Sequence, residues 1–154
     1  MYLEFLKELD RTNVEIGYGG VNLFKGDEIA SRQVGYSITS DGKTLAGLGD
    51  GDWKPSWLVI GYEIALGDPL FIDVELPSPP VMTAMHGEGV WAPEIIASNL
   101  EGFFSILGRL AEIVRGGNWP VTAKEQDEFL DEVKRSKDEK ATDVFWRMQI
   151  GLEE

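Results

Sequence analysis

Apolar residues change their spacing along this chain, from pairs near the front, to dense short runs in the middle, to helical stripes at the end. The middle sets the frame. PSWLVIGY from Pro55, PLFIDVEL from Pro69 and PPVMTAMH from Pro79 are rich in β-branched and aromatic residues and bounded by Gly, Pro, Asp or Ser. That is the pattern of strands joined by tight turns. Gly67-Asp68-Pro69 and Pro77-Ser78-Pro79-Pro80 supply the turns, and connections this short imply antiparallel neighbours, because a parallel pair needs a longer crossover.

Before this sheet, Tyr2, Phe5, Leu6 and Leu9 fall at i, i+3, i+4 and i+7 and predict a short docking helix. Val14 to Ile16 and then GYGGVNLF read as a turn, a short strand or both. Asp27 to Ser31 fits one helical turn, and QVGYSIT from Gln33 alternates Val34, Tyr36 and Ile38 as a half-buried strand does. SDGKTLAGLGDGDW, from Ser40 to Trp53, predicts an exposed loop that dips back to the sheet at Leu45 or Leu48.

After the sheet, Ser98-Asn99-Leu100-Glu101 reads as a capping box opening a helix. Its apolar stripe of Leu100, Phe103, Phe104, Leu107, Leu110, Ala111 and Val114 stops at Gly116-Gly117. Thr122 to Glu125 repeats the capping pattern before an inner face of Phe129, Leu130 and Val133. Ser136 to Glu139 repeats it again, with Ala141, Val144, Phe145 and Met148 inward. No internal repeat or long linker divides the chain. The pattern is α+β: one mainly antiparallel sheet packed by N-terminal and C-terminal helices, in one domain over 1–154 whose segment 119–154 is a helical extension.

Composition narrows the function. With 154 residues, 43% of them hydrophobic, the chain can bury a full core without staples. The absence of cysteine excludes disulfides, thiolate catalysis and Cys-ligated zinc, and fits a reducing cytoplasm. MYLEFLKELDR is charged too early to be a secretory leader, and no apolar run has the length of a membrane span. The formal net charge of −13 argues against nucleic acid and anionic membranes as partners. Its distribution says more: no Lys or Arg occurs from Pro55 to Gly108, whereas Glu63, Asp68, Asp73, Glu75, Glu88, Glu94 and Glu101 do. A layer with one sign of charge steers a basic partner.

Tests for catalytic motifs mostly fail. Gly42-Lys43-Thr44 ends like a phosphate loop, but the first glycine would sit at Ser37. Gly17-Tyr18-Gly19 and Gly47-Leu48-Gly49 lack the third glycine of a dinucleotide fingerprint. Asp50-Gly51-Asp52 begins like a calcium loop, yet Lys54 occupies the next ligand position. His86 is the only histidine and reads first as a strand-end residue with a local hydrogen bond. A small metal-dependent enzyme or ligand-binding module using Asp73, His86 and Glu88 is the alternative. Asp73, within an apolar run, is expected to have a hydrogen-bond partner or a raised pKa. Trp57 and Trp146 read as core; Trp53 and Trp91, among glycines and acids, read as partner anchors.

The sequence resembles the SMI1/KNR4, or SUKH, superfamily in Tyr18-Gly19-Gly20 with Leu23-Phe24 and Glu28-Ile29, Trp57 to Gly61, Gly67 to Asp73, Pro80-Val81, Met85-His86-Gly87 and Ile95 to Phe103. The likeness spans Leu3 to Leu107. It implies an α+β fold and, as in bacterial relatives viewed as immunity proteins, neutralisation of a toxin, often a nuclease. Neither catalysis nor a cofactor is implied. The expectation is a non-enzymatic, cytoplasmic protein-binding domain whose basic partner, a toxin domain, meets Asp50, Asp52, Trp53, Glu63, Asp68, Glu88, Trp91 and Glu94.

Overall fold

Residues 13–152 are described by the structure, a computed structural model; the helix expected over Tyr2 to Leu9 lies outside them. Six strands form one antiparallel sheet in chain order: β1 (Asn13–Ile16), β2 (Gly19–Leu23), β3 (Trp57–Glu63), β4 (Pro69–Asp73), β5 (Val81–Thr83) and β6 (Glu94–Ala97). The three dense runs are β3, β4 and β5. β1 and β2 form a hairpin turned at Gly17-Tyr18, where Gly17 has a φ of 54°. β6 follows from no pattern in the apolar spacing.

Both faces of the sheet are covered, and the alternation in β3 and β4 shows how. Leu70 and Ile72 face one side with Leu58 and Ile60; Phe71 faces the other with Trp57 and Val59. On the first side lie α1 (Leu100–Gly116), α2 (Ala123–Arg135) and α3 (Val144–Gln149). They bring Phe103, Ile106, Leu107, Leu110, Phe129 and Trp146, all fully buried. Each such side chain contributes about 1.5–3 kcal/mol relative to exposure. Covering the second side falls to the long connection between β2 and β3.

That connection departs from the expected strand. QVGYSIT is not a strand: Ser31–Gln33 is a 3-10 turn, Val34 is exposed, and only isolated bridges join Val34 to Ile38 and Ile38 to Thr44. The reason lies in Gln33, whose amide is buried. Its Oε1 accepts from the Val59 N–H at 2.9 Å, while its Nε2 donates to the Val59 and Ile29 carbonyls, each at 2.9 Å. Just past β2, the Phe24 N–H donates to the Ile60 carbonyl at 2.9 Å, beside a bulge between Val59 and Gly61. Beyond it a side-chain amide does what another strand residue would do. Nor does the loop dip inward at Leu45 or Leu48, which are exposed; Trp53, 1% exposed, is the residue that docks.

The helix ends also differ in part. α1 begins one residue later than the Ser98 box implies: Asn99 is the N-cap and accepts from Gly102 N–H at 2.7 Å. Ser98 Oγ is used elsewhere, accepting from Asp138 N–H at 2.7 Å. α1 stops at Gly117, left-handed at a φ of 75°. α2 has the expected reciprocal box between Thr122 and Glu125, and the Thr122 N–H holds the Glu125 carboxyl below its ordinary pKa. Ser136 opens no helix. It ends α2, its hydroxyl donating to Glu132 Oε2 at 2.9 Å, and α3 starts only at Val144. Consequently Trp146 and Gln149 turn inward with Phe145 and Ala141, and Met148 turns out.

Two predictions follow from this packing. Gln33→Met, which keeps the length but strips the hydrogen bonds from Val59, is expected to destabilise by about 2–4 kcal/mol in urea titration. Gly102 and Gly108 both lie in α1, yet a Cβ on Gly102 would collide with the Ser136 carbonyl oxygen whereas one on Gly108 meets nothing within 4 Å. Gly102→Ala should therefore destabilise by about 1–3 kcal/mol, and Gly108→Ala should stabilise by up to about 1 kcal/mol; thermal melts of the two variants read the opposite signs.

Candidate functional site

Strand direction decides which acids meet. β3 runs up to Glu63, β4 descends from Pro69, β5 rises to Thr83 and β6 descends from Glu94. Glu63, Asp68 and Glu94 therefore share one end of the sheet with the β5–β6 connection that carries Glu88. Against this end lies α3. Between them is a groove of about 720 Å³. Ala84, Met85, Val90 and Ala92 of the connection form one wall, and Val144, Phe145 and Met148 of α3 form the other. Glu63, Asp68, Glu88 and Glu94 all line it, and among the described residues no Lys or Arg does.

The four carboxylates are not equivalent. Glu63 is 6% exposed and folds over its own turn, Oε1 accepting from Ala65 N–H at 2.9 Å and Oε2 from Leu66 N–H at 2.7 Å. Asp68 Oδ1 accepts from the His86 N–H at 3.1 Å and meets its Nδ1 at 2.6 Å. A carboxylate only accepts, so Nδ1 carries the proton. His86 lies three residues beyond the end of β5, and its partner is not a near neighbour in sequence but Asp68 of the β3–β4 turn. Glu88 and Glu94 are exposed and, among the described residues, enter no ion pair. These two are the carboxylates open to a partner.

The remaining expected site residues divide into a loop and a core. Asp50 is exposed, and Asp52 turns back on its own loop, accepting from Gly49 N–H at 3.0 Å. Neither lines the groove. Trp53 is no surface anchor. Its ring lies 5.2 Å from Tyr36, 5.2 Å from Trp57, 4.7 Å from Phe71 and 5.2 Å from Trp91, and its Nε1 donates to the Trp57 carbonyl at 3.3 Å. A large ring flanked by glycine and aspartate is buried because the glycines let the loop fold it inward against β3 and β4. Trp91, partly buried at the edge of this cluster, donates its N–H to the Gly51 carbonyl at 2.9 Å and so ties the loop to the groove wall. Burial, with Asp68 nearby, pushes the Tyr36 hydroxyl above its ordinary pKa.

Asp73 does not join His86 and Glu88. It stands at the far end of β4, opposite Trp57, with Oδ1 accepting from Glu75 N–H at 3.0 Å. The length of β4, at about 3.3 Å per residue, separates it from Asp68 and His86. Among the described residues no group of three or more His, Cys, Asp or Glu is placed to hold a metal ion, and no helix is long and apolar enough to cross a membrane.

The apolar walls of the groove are what the sequence reading misses. Val144 and Met148, at i and i+4, do mark one face of α3, but that face looks into the groove and not into the core. Comparison of the chain with protein-family models, with curated proteins and with solved structures finds no match to any of them.

Because Trp53 joins the aromatic cluster and not a surface, Trp53→Ala is expected to destabilise by about 3–5 kcal/mol. Chemical denaturation with no partner present measures it; a loss under about 1 kcal/mol would return Trp53 to the surface role.

Proposed function

We propose that this protein is a non-enzymatic binding domain of the cytoplasm, an immunity protein of the SMI1/KNR4 (SUKH) kind that neutralises a basic toxin, with nucleases the leading class. One observation carries the reading: carboxylates from four separate stretches converge on one apolar groove that, among the described residues, no Lys or Arg lines. Convergence from the β3 end, the β3–β4 turn, the β5–β6 connection and the start of β6 distinguishes this from acidity spread for solubility. The α+β architecture with its antiparallel sheet is what the family resemblance leads one to expect.

The mechanism follows from charge and shape. A toxin that acts on a polyanion presents a cationic cleft, and the carboxylate end of this sheet is complementary to it. Steering of that kind raises association rates by about 10 to 10³-fold at low salt. Glu63 and Asp68 are already engaged by turn amides and by His86, so Glu88 and Glu94 carry the contacts that a partner's Lys and Arg can still make. Inhibition needs only that the cleft be covered.

The test is capture of the partner followed by kinetics. A cationic protein is expected, and its association rate should fall at least ~10-fold as ionic strength rises from low to physiological salt. Charge reversal at Glu88→Lys and Glu94→Lys together should lower the rate by about another 10-fold with the circular dichroism unchanged. A neutral partner, or one whose association ignores salt, would sink the reading.

A further inference from the structure

We infer that the groove receives one face of a basic amphipathic helix, apolar side chains lying between the connection and α3 while lysine or arginine side chains reach Glu88 and Glu94. The inference rests on the partner-binding reading above and names the shape of what is bound. Leu66, Met85, Val90 and Met148 are each more than half exposed, and all four border this groove. Large apolar side chains left in water at one place mark a surface that something covers. Two of them are methionines, whose unbranched and polarizable side chains adapt to irregular apolar partners.

Charge complementarity selects the occupant. The same walls carry Glu88 and Glu94 with no Lys or Arg among the described residues that line them, so the matching ligand is apolar on one side and cationic at its flanks. A strand is a poor candidate for that ligand. Strand addition needs a free edge, but the outer edge of β6 is taken: Thr142 N–H donates to the Ile95 carbonyl at 2.8 Å and Trp146 Nε1 to the Ile96 carbonyl at 2.7 Å. A helix satisfies its own backbone and asks the groove only for side-chain contacts. A second copy of this chain is disfavoured as well, since two such grooves face to face would oppose carboxylate with carboxylate on chains of net charge −13.

The probe is a synthetic leucine–lysine peptide of about 18 residues with leucines at i, i+3, i+4 and i+7, long enough to form a helix on binding. Its controls are a scrambled peptide of the same composition, a peptide with glutamate in place of lysine, and spermine. Fluorescence anisotropy with the full chain should show the amphipathic peptide binding at least ~10-fold more tightly than any control. Met148→Ser, which acts on packing alone, and the pair Glu88→Gln with Glu94→Gln should each weaken it by roughly 5-fold or more, with helix content of the protein unchanged. Equal binding of the scrambled peptide or of spermine would overturn the inference, as would indifference to both variants or sedimentation showing a dimer that the peptide dissolves. A captured basic partner that the peptide fails to displace overturns the helix and leaves the immunity reading standing. Peptide binding without any basic partner in the cell upholds the groove and removes that reading.

Discussion

A carboxamide stands in for a strand in this fold, and the second face of the sheet depends on it. Without Gln33, the N–H and C=O of Val59 beyond the end of β2 would be buried with no partner, and each such group costs roughly 1–3 kcal/mol. With it, the chain leaves β2, turns at Ser31–Gln33 and is held against β3 before it runs outward. Much of what covers that face is anchored there or at Trp53. Tyr36, Trp57, Phe71 and Trp91 gather on Trp53, so a connection of low regularity becomes a packed layer.

The two faces serve different ends. On the helical side the burial is almost wholly aliphatic and aromatic, with the Gln149 amide as a buried polar exception that bonds Gly20. On the loop side the aromatic cluster reaches the β5–β6 connection through Trp91 and Gly51. The groove wall is therefore braced from behind. That bracing matters for a binding surface, because a rigid acceptor loses less conformational entropy on association. Charge is divided the same way: Glu63 and Asp68 hold turns together, and Glu88 and Glu94 remain for solvent or a partner.

How much of this could be read in advance depended on how local the cause was. β3, β4 and β5 are dense apolar runs between Pro and Gly, so their own residues declare them. β6 has only Glu94 to Ala97 and is made a strand by pairing with β5. QVGYSIT alternates like a strand because Tyr36 packs inward, yet its backbone is directed by a glutamine amide 26 residues from its partner. Ser98 and Ser136 have the spelling of caps but their hydroxyls bond elsewhere. At the site, the run without Lys or Arg disclosed the acids. Trp53 and Met148 lie elsewhere than their sequence neighbours suggest, because those neighbours say little about which surface a turn or short helix offers.

α3 joins distant parts of the chain. Within four residues it bonds two strands far apart in the sheet, Trp146 Nε1 donating to β6 and Gln149 Oε1 accepting from the Gly20 N–H of β2 at 2.8 Å. The second contact closes a loop of 129 residues. During synthesis, then, the front hairpin waits for α3, 129 residues further along the chain, to leave the ribosome before its backbone is satisfied. The same helix is one wall of the groove, so a nascent chain has no acceptor surface to offer until its sheet is already fastened, and recognition and completed folding arrive together.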